Sequence, residues 1–240
     1  MSPKGLAAYY VALSAIGATF LGVVAWRSPA SSPIPSTDRA LVASTFVAVC
    51  ALGLASAVRP NRIRRLTSGR SHGLGGGPAS APRPYRGHHP DCEHFATHVL
   101  RMGDRTLCAG CTGLGIGAAA AALVMALYAV MPGGLPVRPP AAVLALGMGL
   151  VALNYVEVAV RRGHAIVHTA ANVFLVLGFL SLTIGTIEAT GKAAYGLLAV
   201  VVSLLMVDTR IRLSSSRHAD LRRRCGEACD AVRGPATSGG

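Results

Sequence analysis

Charge is what this sequence has least of. Only 14% of its 240 residues are Asp, Glu, Lys or Arg, against 52% hydrophobic residues and a mean hydropathy of +0.49. A folded soluble domain cannot clothe its surface with so few charges, so the chain needs lipid. Acidic residues are the scarcest charges: 10 Asp and Glu face 23 Lys and Arg, a formal net charge of +13. A basic surplus of that kind meets either nucleic acid or an anionic membrane surface, and its distribution along the chain decides which. The six cysteines are not spread as disulfide staples. Cys50 sits alone in an apolar run, Cys92, Cys108 and Cys111 share one short stretch, and Cys225 and Cys229 lie in the tail. Clustering of that kind points to a reducing compartment or a metal. No internal repeat relates the two halves.

Long apolar runs dominate what is present. A hydrocarbon core about 30 Å thick takes about 20 apolar residues in helical form, because only a helix satisfies its own backbone polar groups there. Leu6–Trp26, Ala40–Val58 and Thr112–Met131 contain no charge, and the third is bounded by Pro132-Gly133-Gly134. Ala141–Val160 carries Asn154 and Glu157, and Ala165–Ile187 carries His168 and Asn172, each polar near one end. The last run, Ala193–Val207, is short and is expected to reach Leu213 by snorkelling of its Arg residues. The expected fold is therefore all-α, a polytopic membrane bundle of about six transmembrane helices. Leu6–Trp26 also admits a reading as a secretory signal cleaved near Ser28-Pro29-Ala30, but its apolar stretch is longer than a usual signal core.

Basic residues are retained on the cytosolic side, so the loops give orientation. With both termini inside, 19 Lys and Arg lie in cytosolic segments, among them nine Arg from Arg59 to Arg105, whereas the outside keeps only Arg27, Arg39, Arg138 and Lys192. The organisation is then two N-terminal helices over 1–58, an Arg/Gly/Pro linker over 59–86, a Cys/His loop over 87–111, four helices over 112–213 and a basic tail over 214–240. The surplus is read as a partner for anionic headgroups at the cytosolic face of a prokaryotic plasma membrane, and no nucleic acid is expected. Arg222-Arg223-Arg224 fits the same reading.

Chemistry concentrates in the Cys/His loop. It reads His88-His89-Pro90-Asp91-Cys92-Glu93-His94-Phe95-Ala96-Thr97-His98, then Cys108-Ala109-Gly110-Cys111 at the entrance of the third span. Cys-x2-Cys is a chelating half-site, because two thiolates on one tight turn reach a single ion, and a closed zinc centre needs two further donors. Cys92 supplies a third. If Glu93–Met102 is a short helix, His94 and His98 share one face, and one of them supplies the nitrogen, with His88 and His89 as substitutes. The metal-ligand candidates are Cys92, His94, His98, Cys108 and Cys111. Cys111 immediately precedes a span, where unpaired amides and the helix dipole stabilise a thiolate for metal binding or for nucleophilic reactivity.

Polar residues inside hydrocarbon usually face a bundle interior. Asn154, Glu157 and Arg161 share one face of the fourth span, and His164, His168 and Asn172 one face of the fifth. All lie towards the leaflet of Cys111, so they can form a pocket beside the cluster, with Glu157 and His168 as catalytic candidates. A plainer account pairs Glu157 with Arg161 or Arg162 and has His168 cap a neighbouring helix. Gly113-Leu-Gly115-Ile-Gly117 follows no strand, so close helix packing through small residues explains it better than dinucleotide binding. Cys225 and Cys229, four residues apart, could add ligands, but a solvated tail is the simpler reading.

The run Cys108-Ala-Gly-Cys111-Thr-Gly113 at a span's entrance, preceded by Cys92 and a Gly103-containing stretch, resembles an uncharacterised family of prokaryotic integral-membrane proteins. In that family an upstream Cys-His pair precedes Cys-x-x-Cys-Thr-Gly. The resemblance covers roughly Asp91–Gly117 and implies no activity. Here Glu93 follows the first cysteine and the histidine comes one residue later, so the resemblance carries over Cys92, Cys108 and Cys111 and leaves the nitrogen ligand open. Three functions fit: a zinc site, structural or catalytic; a membrane thiol-disulfide oxidoreductase using Cys108 and Cys111; and a small transporter or channel lined by Glu157, His168 and Asn172.

Overall fold

A computed structural model describes residues 3–28, 33–58, 85–86, 99–102, 105–132, 139–160 and 164–233. The chain forms an all-α polytopic bundle. Its helices are α1 (Pro3–Arg27), α2 (Ser36–Val58), α3 (Ala109–Val130), α4 (Pro140–Ala159), α5 (Ala165–Thr190) and α6 (Ala193–Arg233). All six are long and apolar enough to cross a membrane. An even number of crossings puts both ends of the chain on one side, together with the start of α3.

Local chemistry sets the helix ends. Pro140 opens α4, where its missing N–H costs nothing. Gly191, at φ 67°, closes α5 in the left-handed region open to glycine, and its N–H reaches the Ile187 carbonyl at 2.8 Å. Only Gly191-Lys192 separates α5 from α6. At about 1.5 Å per residue, the 41 residues of α6 extend about 60 Å, twice the hydrocarbon thickness. The segment expected as a basic tail is thus helical through Arg233, because the Arg- and Ala-rich sequence from 216 to 233 contains no proline and supports helix without lipid.

Helix α5 is the axis of the bundle, packed along both α3 and α4 and touching α6, while α1 packs on α6 and α2 on α3. Side chains on the outer faces, such as Ile16, Leu52, Leu123 and Ile166, are exposed apolar groups suited to lipid. Away from the α3 entrance, Tyr128 donates to Glu188 Oε1 at 2.7 Å and Arg39 Nη1 donates to the Met131 carbonyl at 3.0 Å, tying α2, α3 and α5 together. The α4–α5 seam is closed by glycine: a Cβ on Gly147 would lie 2.8 Å from both the Gly178 carbonyl oxygen and the Leu182 amide nitrogen, whereas one on Gly149 would meet nothing within 4 Å. Gly147→Ala is therefore expected to destabilise by about 1–3 kcal/mol through overpacking, and Gly149→Ala to be neutral or slightly stabilising. Thermal unfolding of the two variants in detergent checks the contrast.

A small sheet stands before α3. Strand β1 (Tyr85–Arg86) pairs parallel with β3 (Arg105–Cys108), and β2 (Val99–Met102) pairs antiparallel with β3, in the order β1-β3-β2. The expected short helix over Glu93–Met102 is corrected in its second half: Val99–Met102 is a strand. The physical reason lies in the sequence Val99-Leu-Arg-Met102-Gly103-Asp104-Arg105-Thr-Leu-Cys108, two short extended runs around a two-residue Gly-Asp connection, a combination that favours a hairpin.

Candidate metal centre

Strand β3 ends at Cys108, which is also the N-cap of α3, with φ −70° and ψ 118° and no side-chain cap hydrogen bond. Ala109, Gly110 and Cys111 form the first turn, so the third helix starts three residues earlier than its apolar run suggests and contains Cys111. Both thiols therefore belong to the turn whose backbone amides lack intrahelical acceptors. Cys108 is 6% exposed and Cys111 half-buried. Neither is in a disulfide, and their side chains hydrogen-bond to each other.

Three further helices deliver polar groups to this turn. Glu157, near the end of α4, accepts from His168 Nδ1 on α5, with both carboxylate oxygens in reach at 3.0 and 3.1 Å. A carboxylate only accepts, so Nδ1 carries a ring proton in this contact. Nε2 faces Gly110, where an added Cβ would come within 3.3 Å of Nε2 and 3.6 Å of Arg210 Nη2. Arg210, on α6, reaches His168 Nε2 at 3.5 Å and interacts electrostatically with Glu157, Cys108 and Cys111. Glycine between the cysteines leaves this approach uncrowded, since a Cβ would press slightly on the imidazole and make ordinary contact with the guanidinium.

The α3–α5 contact that carries this arrangement is hydrogen-bonded as well as packed. Thr169 Oγ1 lies 3.3 Å from the Ala109 carbonyl oxygen and 2.8 Å from that of Ala165. Asn172 donates to the His168 carbonyl at 2.6 Å, and Asn154 to the Ala171 carbonyl at 2.9 Å. The two amide oxygens and Arg210 Nε are buried without a hydrogen-bond partner.

Of the polar residues expected on α4 and α5, Glu157 and His168 thus meet beside the cysteine turn, with Asn172 one turn further along α5 against Gly113. Glu157 pairs with His168 and acts on Arg210 electrostatically; Arg161 and Arg162 lie outside the described residues. His164 is the exposed N-cap of α5 with no side-chain cap bond. Cys92, His94 and His98, with His88 and His89, also lie outside the described residues. Cys225 and Cys229 belong to the part of α6 beyond Ser215. Among the described residues, no three Cys, His, Asp or Glu side chains are grouped closely enough to hold a metal ion by themselves.

Arg210 corrects the sequence reading. It was expected to snorkel toward headgroups from the end of the last span, yet it is only 7% exposed and turned into the bundle. The difference is electrostatic: inside the bundle the guanidinium meets a carboxylate and two sulfurs, partners that the sequence distance of more than 50 residues from Glu157 conceals. Compared with known proteins, the chain matches no family model, no curated protein and no solved structure. The site stands on its own geometry.

Proposed function

We propose that this is a multi-pass protein of a prokaryotic plasma membrane, with both termini cytosolic, that holds Zn²⁺ at the cytosolic entrance of α3. Cys108 and Cys111 are two ligands, Cys92 is the third, and a histidine completes the set. The supporting observation is the register of the hairpin: Val99 pairs with Cys108, so the residue directly after His98 stands opposite the first cysteine of the Cys-x2-Cys turn in the ladder. A loop that leaves from Cys92 and returns at Cys108 matches the spacing of a closed thiolate-rich centre. The Arg-rich cytosolic segments then face anionic headgroups. Elemental analysis of protein purified in detergent tests the reading: about one zinc per chain is expected, and its loss in Cys92→Ser. Wild-type protein free of metal overturns it.

A second reading, a membrane thiol-disulfide oxidoreductase, is favoured by the hydrogen bond between the Cys108 and Cys111 side chains at a helix start beside Arg210. It predicts metal-free protein in which the two thiols interconvert with a disulfide under a glutathione redox buffer. Alkylation after acid quenching reads that directly.

A further inference from the structure

We infer that Cys111, and not Cys108, is the sulfur that attacks a partner disulfide, that Cys108 is the resolving thiol, and that the partner is a low-molecular-weight disulfide. The inference rests on the thiol-disulfide reading above and assigns the two roles that it leaves open.

Three observations lead to it. The first is access, which governs thiol-disulfide exchange because the attacking sulfur must be reached by an S–S bond from outside. Cys108 is 6% exposed, and Ala109 and Gly110 after it are buried, whereas Cys111 and Thr112 are partly exposed. The fold explains the order. Cys108 closes β3 opposite Val99, on a hairpin whose β2 touches α5, and the first turn of α3 carries the chain back towards the surface at Cys111. The second is reach: the two side chains already hydrogen-bond to each other, so a mixed disulfide on Cys111 forms beside its resolving sulfur. The third is charge. Arg210 is only 7% exposed, interacts electrostatically with both sulfurs, and has its Nε buried without a hydrogen-bond partner. One fixed cation therefore serves whichever sulfur carries the charge. The helix terminus does not reverse the order, because Cys108, although it is the N-cap of α3, makes no side-chain cap hydrogen bond.

The steps balance as follows. Cys111 Sγ, as thiolate, attacks one sulfur of the partner R–S–S–R; that S–S bond breaks, and R–S⁻ leaves and takes up the proton that Cys111 lost. Cys108 then attacks Cys111 Sγ and displaces the second R–S⁻, which takes up the Cys108 proton. The cysteine pair is oxidised to a disulfide by two electrons, and the partner is reduced to two thiols. A small partner suits a sulfur that is only half-exposed in the first turn of a helix packed into the bundle, where a disulfide on a folded protein surface would meet the neighbouring elements first.

The test exposes full-length wild type, Cys108→Ser and Cys111→Ser to glutathione disulfide in detergent, with acid quenching and site-resolved mass spectrometry. The expected result is a Cys108–Cys111 disulfide in wild type, a lasting glutathione adduct on Cys111 in Cys108→Ser, and loss of the adduct at Cys108 in Cys111→Ser. Brief alkylation of reduced wild type, which needs no variant to fold, should label Cys111 before Cys108. An adduct on Cys108 in Cys111→Ser that matches or exceeds the one on Cys111 in Cys108→Ser, or Cys108 labelled first in wild type, overturns the assignment while leaving the thiol-disulfide reading intact. Wild type in which no disulfide joins the two cysteines removes both.

Discussion

Replacing Arg210 with methionine is expected to cost the bundle about 3–5 kcal/mol, the range found when one member of a buried ion pair is deleted and its partner is left uncompensated. The size follows from where Arg210 sits: it is nearly enclosed, and Glu157, Cys108 and Cys111 all face it. Methionine keeps most of the length and apolar contact of the side chain, so the loss reports charge rather than a cavity. Part of the cost comes from Glu157, a carboxylate near the end of α4 that keeps its contact with His168. Adding Glu157→Gln to Arg210→Met should therefore recover part of the loss, giving a coupling of the two sites outside simple additivity. A surface ion pair behaves differently: Asp208–Arg212, at 2.8 Å but partly exposed, should change stability by less than about 1 kcal/mol when either member is removed. Thermal unfolding of the single and double variants in one detergent completes the cycle.

The second large effect is expected at Gly113. A Cβ there would collide with the Thr169 carbonyl oxygen and would stand 2.9 Å from Asn172 Cβ, so the obstacle is backbone of α5 and not the end of a side chain. Backbone cannot swing aside, and α5 would have to move away from α3 along its first turns. Gly113→Ala should thus lie at or above the upper end of overpacking costs, about 3 kcal/mol. The same movement withdraws His168 from Gly110. Thermal unfolding of Gly113→Ala beside wild type in detergent checks the cost, and wild-type stability would contradict it.

Much of this was legible in the sequence, for a physical reason. Hydrocarbon permits little besides helices, so six apolar runs interrupted by Arg, Pro and Gly announce six helices, and the interior face of each buried span is marked by the few polar residues it can tolerate. Asn154, Glu157, His168 and Asn172 stood out in that way: Glu157 and His168 meet beside the Cys108–Cys111 turn, and the two asparagines are buried in the bundle interior. Boundaries were less legible. An apolar run shows where lipid begins, whereas a helix ends where its backbone bonds do, so α3 starts back at Ala109 and α6 continues to Arg233. The β2–β3 hairpin was available in Gly103-Asp104 between two short extended runs, but the i, i+4 spacing of His94 and His98 drew attention to a helix instead. Arg210 was not legible at all. A basic residue at the end of an apolar run is consistent with a snorkelling side chain, and nothing local shows that a carboxylate on another helix lies opposite it.

Zinc K-edge X-ray absorption of the purified protein tests the central claim most directly, because it counts sulfur and nitrogen around the metal. The account predicts three sulfur ligands at about 2.3 Å and one imidazole nitrogen at about 2.0–2.1 Å. Zinc surrounded only by oxygen and nitrogen, or preparations that contain no zinc, would contradict it.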